Sequence, residues 1–328
     1  MKKVILYILG TLIVLILGLV VFVNLTWNKK FDAPYPDIMA SKDPSVIARG
    51  KYLVYSPSHC ATCHVPMDKI MEVENGLEMP LQGGWELSFP GFGTFRAANL
   101  TSDKETGIGN LSDKEIARIL RHGVGHDGRL ISPFMPYQEM SDADLTAIIS
   151  FLRTQVAVHN QVKRSEYGFL GKALMAFGMF KPEGPKNTPP KSVTIDSTVE
   201  YGRYIAYNVA NCRGCHTQMD VNTGEYIGKD FAGGNLYEPD AFSEGKAHLS
   251  PNLTPDKETG VIANWDESTF INRFRKGRIH KGSPMPWGAF SRMNDVEIKA
   301  IYRFLKSLPP VHNRIEKTVF EKGEKLPS

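Results

Sequence analysis

Cysteine is scarce: only four occur in 328 residues, and they fall as two pairs, Cys60/Cys63 and Cys212/Cys215. Each pair belongs to a motif of its own, so nothing is left over for a structural disulfide framework. Charge of one sign is missing too. The 39 Lys+Arg and 35 Asp+Glu leave a net charge of +4 with no concentrated basic region. No nucleic-acid partner is therefore expected. No stretch alternates with period two over a useful length, which argues against an extensive sheet. Disorder is excluded as well, because 10% of the residues are aromatic and both signs of charge are interspersed. At about 100 to 200 residues per domain, the length leaves room for about two domains.

One long apolar run is present. Val4 to Val23 carries no charge, and only Gly10, Thr11 and Gly18 interrupt its large apolar side chains. A helix of that length spans about 30 Å, the hydrocarbon thickness of a bilayer. A cleaved signal peptide is the competing reading, but the exit Phe22-Val23-Asn24-Leu25-Thr26-Trp27 offers no small-residue cleavage site. Residues 1–30 are therefore expected to form a retained transmembrane anchor, with Trp27 at the outer interface and Lys2 and Lys3 on the cytoplasmic side.

The remainder repeats itself. Asn99-Leu-Thr-Ser-Asp-Lys-Glu-Thr-Gly107 matches Asn252-Leu-Thr-Pro-Asp-Lys-Glu-Thr-Gly260, 153 residues on, and Cys60 and Cys212 are 152 apart. Ala147-Ile-Ile-Ser-Phe-Leu152 likewise answers Ala300-Ile-Tyr-Arg-Phe-Leu305. These matches define domains over 41–158 and 199–314. The Pro-rich Lys181 to Pro190 marks 159–198 as a linker.

Helix starts are explicit in both repeats. Asp43-Pro44 opens a helix with an N-cap and a proline at the first position. Ser112/Glu115, Ser141/Asp144 and Asn294/Glu297 each have the spacing of a capping box, and Asp266 has that of an N-cap. The fold class predicted is all-α: a tandem repeat of two small helical domains behind one transmembrane helix. Long Gly-rich loops are expected at Gln82–Trp85 and Ala232–Asn235.

The cysteine pairs are followed directly by His64 and His216, which makes both motifs CxxCH. This is the attachment signature of c-type haem, in which two thiols add to the porphyrin vinyl groups and the adjoining imidazole ligates the iron. Two covalent haem c groups are expected. Zinc also takes paired cysteines, but a zinc site gives no reason for a histidine after both pairs, nor for the anchor. Attachment of such haems takes place outside the bacterial cytoplasmic membrane, which puts the globular part on the periplasmic side.

With a CxxCH after the first helix and a Met-Pro before the last, each repeat resembles a class I cytochrome c domain. More closely, the Gly-x-Tyr helix, the Asn-Leu-Thr-x-Asp-Lys-Glu-Thr-Gly stretch and the terminal helix resemble the domains of the cytochrome subunit of membrane-bound quinoprotein alcohol dehydrogenases. The resemblance covers residues 45–155 and 198–310. That subunit carries three haem domains, whereas this chain has two CxxCH motifs.

Met135, in Ser132-Pro-Phe-Met-Pro136, and Met285, in Ser283-Pro-Met-Pro286, lie 71 and 69 residues after His64 and His216. A methionine before a proline in an extended loop can present its thioether to iron, so these two are the expected sixth ligands. Met140 and Met293 also correspond between repeats, but their positions beside helix starts assign them to packing. His126 and His280 sit in turn sequences. Two His/Met sites leave no open coordination position, so the expected role is single-electron transfer in a respiratory chain or beside a dehydrogenase or oxidase subunit, not catalysis. The alternative is a dihaem enzyme, a peroxidase or thiosulfate-oxidising cytochrome, with one haem open or differently ligated. The equivalent Met-Pro loops argue against it.

The Asn-Leu-Thr stretches read as turns and caps, and Asp103, Glu105, Asp256 and Glu258 as solvated turns in place of a calcium site. The apolar run Gly168–Phe180 is expected to pack on a domain, with docking against another subunit or the bilayer as the other readings.

Overall fold

The computed structural model describes residues 1–132, 134–220, 224–239 and 243–327. The apolar run forms α1, Lys2–Thr26, whose side chains are exposed along almost all its length. An extended segment leads to α2, Pro44–Tyr55, capped as expected: the Asp43 carboxylate accepts from the Ser45 amide and Pro44 takes the first helical position. The first CxxCH follows as a tight turn, then α3, Ile70–Glu74, strands β1, Glu86–Phe89, and β2, Gly93–Arg96, and helices α4, Asp113–His122, and α5, Asp142–Arg153. Next come β3, Glu166–Tyr167, and α6, Phe169–Ala176.

The second half of the chain follows. Helix α7, Val199–Tyr204, runs through a π-helical turn into α8, Cys212–His216, which contains the second CxxCH. Strands β4, Leu236–Tyr237, and β5, Ala247–Leu249, are followed by α9, Glu267–Arg275, α10, Trp287–Ser291, α11, Asp295–Ser307, and β6, Val319–Phe320.

The chain is mostly helical, at 38% helix and 7% strand, but not all-helical as the sequence implied. Among the described residues there are two antiparallel three-stranded sheets. In one, Glu86 pairs with Arg96 and Gly93 with Tyr167; in the other, Leu236 pairs with Leu249 and Ala247 with Phe320. Strands of two to four residues are too short to print a period-two pattern. Both third strands, β3 and β6, lie beyond the expected ends of the repeats at 158 and 314. Nor is 159–198 a free spacer: besides β3 and α6, the Asp142 and Ala143 amides donate to Pro190 and Lys191 carbonyls at 2.9 Å.

Helices α2 and α5 touch backbone to backbone, as do α7 and α11, and glycine makes this possible. A Cβ on Gly50 would lie 1.8 Å from the Ala147 carbonyl oxygen, and one on Gly202 would lie 1.9 Å from that of Ala300. Around these crossings the buried apolar side chains form one contiguous cluster, from Leu53 and Ile148 in the first half to Ile205 and Ile301 in the second.

The two halves are joined by an exchange of tyrosines. Ser112 and Glu115 make the reciprocal capping box their spacing predicts, and Asp266 caps α9. At the other two the expectation holds only in part: the Ser141 hydroxyl accepts from the Asp144 amide at 3.1 Å, but neither acid closes on its cap amide and Asn294 makes no side-chain cap. Tyr204 of the second half accepts from the Ser141 amide at 3.0 Å and donates to Asp144 at 2.7 Å. Tyr52 of the first half accepts from the Asn294 amide at 2.8 Å and donates to Glu297. Each hydroxyl is thus inserted between a helix's cap amide and the acid expected to close on it. Arg49 bridges the two acids, with N–O distances of 3.0 Å to Asp144 and 2.9 Å to Glu297. Burial opposes its charge, yet the two carboxylates more than offset this and raise the Arg49 pKa. The buried tyrosines are raised as well, by desolvation and the neighbouring acids, so they remain donors.

Candidate haem sites

Both CxxCH motifs begin from a left-handed residue, His59 at φ 39° and Asn211 at φ 51°, which turns the chain sharply into the first cysteine. All four cysteines are free thiols. Burial pushes them up, to about 11 at Cys60 and about 12 at Cys63 and Cys212.

The two imidazoles are held alike. His64 Nδ1 lies 2.8 Å from the Ala98 carbonyl oxygen, and His216 Nδ1 lies 3.1 Å from that of Pro251. A carbonyl can only accept, so Nδ1 carries the proton in both rings and Nε2 is the free nitrogen. Burial lowers both histidines, which favours the neutral ring that an iron ligand requires.

The Gly-rich loops build this arrangement. Gly83 donates its amide to the His64 carbonyl at 2.9 Å, and Gly233 to that of His216 at 2.8 Å. They have φ of +73° and +74°, and added Cβ atoms would meet the Ala97 and Ser250 carbonyl oxygens at 2.6 and 2.5 Å. Only glycine fits between the histidine backbone and the chain that receives its ring. That chain is fixed by the buried amides of Asn99 and Asn252, which donate to the Val158 and Val311 carbonyls at 2.8 Å in each half. The Asn-Leu-Thr stretches are therefore structural. Asp103 and Asp256 accept from Thr106 and Thr259 within their own turns.

The methionines divide into two kinds. Met140 and Met293 are fully buried in the core, as their packing role requires. Met135 and Met285 lie partly buried against the core in loops ahead of Pro136 and Pro286. Two residues after Met135, the Tyr137 hydroxyl donates to the Ser58 carbonyl at 2.6 Å, tying this loop to the chain entering the first CxxCH. The Met285 loop leans on the other half. Glu74, which sequence reasoning passed over, is almost fully buried and accepts from the Gly288 amide at 2.8 Å and from Arg278 at 3.0 Å. Arg278 in turn donates to the Ser283 carbonyl, so one carboxylate grips both sides of Met285. His126 and His280 are exposed.

The donor set fits haem c: a free thiol pair, a neutral imidazole with Nε2 unengaged, and a thioether in a tethered loop. Among the described residues, no three His, Cys, Asp or Glu side chains group to hold an ion.

No protein-family model matches the chain. It is 29% identical over 281 residues to the cytochrome c subunit of the quinone alcohol dehydrogenase of Gluconobacter oxydans, covering 82% of this chain and 56% of that one. Against the gluconate 2-dehydrogenase cytochrome c subunit of Pantoea cypripedii the identity is 27%, over 91% of this chain and 65% of the relative. A dihaem c-type cytochrome of Cereibacter sphaeroides is 25% identical over 80% of this chain and 86% of its own length. These relatives are c-type cytochromes. The chain spans well over half, but less than two thirds, of the two dehydrogenase subunits.

Proposed function

We propose that the protein is a membrane-anchored dihaem c-type cytochrome that passes single electrons from a dehydrogenase to a further acceptor. Residues 41–158 and 199–314 would each hold one haem, and residues 1–30 would anchor them on the outer face of the cytoplasmic membrane. The observation that carries this reading is the pair of imidazoles, each directly after two free cysteines and each with Nδ1 against a backbone carbonyl.

Cys60 and Cys63, and Cys212 and Cys215, would make the thioether links. His64 with Met135, and His216 with Met285, would hold the irons. When bound, haem c supplies a one-electron Fe(III)/Fe(II) couple. The protein's part is to keep both imidazoles neutral and aimed, to exclude water, and to fix one site relative to the other through the shared core. The relatives' names support a dehydrogenase as the partner.

A pyridine haemochrome assay on the full-length protein is expected to give two haems per chain, retained through acidic organic extraction because thioethers survive it. One haem per chain, or haem lost on extraction, overturns the reading.

A further inference from the structure

Helix α6 and the turn after it pack on the exit end of α1. The rings of Phe22 and Phe177 lie 5.5 Å apart, those of Trp27 and Tyr167 6.1 Å apart, and Lys29 Nζ donates to the Ala176 carbonyl at 2.7 Å. Val23, which is fully buried, is the residue of α1 covered most completely. Gly178, at φ +75°, turns the chain so that the amides of Met179 and Phe180 both donate back to the Leu174 carbonyl. The result leaves Phe169, Leu170, Phe177 and Met179 between 42% and 66% exposed. Residues 168–180 contain no acid, and their one lysine, Lys172, lies over the Trp27 ring at 5.1 Å.

Four large apolar side chains are thus exposed beside the last turns of a helix that is itself apolar and exposed. We propose that α6 and residues 177–180 are immersed in the outer leaflet of the bilayer next to α1, as a second contact with lipid. This rests on the reading of α1 as an anchor. If α1 spans the bilayer, the Phe22–Phe177 contact brings the patch to the depth where the hydrocarbon ends. Lys29, Lys172 and Lys181 then lie at the level of anionic headgroups. Continuity with the apolar helix selects lipid over a protein partner as the occupant. The contact would also orient the first half, because Tyr167 packs on Phe95 at 5.7 Å and Phe95 on Phe134 at 5.2 Å, immediately before Met135.

The test places the photoreactive residue benzoylphenylalanine at Met179, Leu170, Leu15 or Lys257 of the full-length protein. Each variant is reconstituted in phosphatidylethanolamine/phosphatidylglycerol vesicles and irradiated. Lipid adducts at Met179 and Leu170 should match those at Leu15 and exceed those at exposed Lys257 by about tenfold or more. If Leu15 labels lipid while Met179 and Leu170 give the Lys257 background, or adducts to protein alone, the immersed patch is overturned and the anchor stands. If Leu15 also fails to label lipid, the anchor itself is wrong.

Discussion

The Oε2 atom of Glu74, in the first half, lies 2.8 Å from the amide nitrogen of Gly288 and 3.0 Å from Nη2 of Arg278, both in the second. The loop bearing the proposed ligand Met285 is thus held by a residue from the opposite repeat. Glu74→Ala removes the acceptor and leaves Arg278 without its partner, at an expected cost of about 3 kcal/mol. The sulfur-to-iron band of the second haem should weaken while that of the first is retained, as read from the near-infrared spectrum of each haem in single-site Met→His backgrounds. An equal effect on both haems would make Glu74 a general stability residue only.

Ligation by Met135 and Met285 predicts that Met135→His lowers one reduction potential and removes one half of the near-infrared band, and that Met285→His does the same to the other half. Imidazole stabilises Fe(III) better than a thioether does. Met140→Leu and Met293→Leu remove sulfur from the core at nearly constant volume and should leave the band intact. Redox titration followed optically checks both sets.

At the helix crossings, Gly50→Ala would place a methyl group 1.8 Å from the Ala147 carbonyl oxygen and 2.9 Å from Phe151 Cβ. The helices must separate, with an expected loss of at least about 2 kcal/mol. Gly202→Ala should match it, because its Cβ meets Ala300 and Phe304 at 1.9 and 2.9 Å. Gly18→Ala, with nothing within 4 Å, is the control. Denaturant unfolding followed by circular dichroism gives the comparison.

Local chemistry was legible in the sequence. Asp43, Ser112 and Asp266 cap the helices that their spacing marked, and the motif repeats recur as matching hydrogen bonds around His64 and His216. What escaped were interactions between distant parts of the chain. Glu297 has the spacing of a capping acid, but its carboxylate is taken by Tyr52 and Arg49, 245 and 248 residues away. Glu74 belongs to no motif, and its partners lie 204 and 214 residues on. Short strands such as β3 and β6 were invisible because two residues carry no period. The apolar run 168–180 was visible as apolar, but only the fold places it beside Phe22.

The exchange of Tyr52 and Tyr204 has a consequence in time as well as in space. A ribosome finishes the first repeat long before it reaches Glu297, so the Tyr52 hydroxyl must wait for its acceptor, whereas Arg49 already has Asp144. Helix α2 can already pack on α5, since Gly50 and Ala147 both lie in the first half, so what is missing until then is the seam that Tyr52 makes with α11. Tyr204 has no such delay, since Asp144, its acceptor, has already been made. The two tyrosines of the exchange are therefore expected to find their partners at different times.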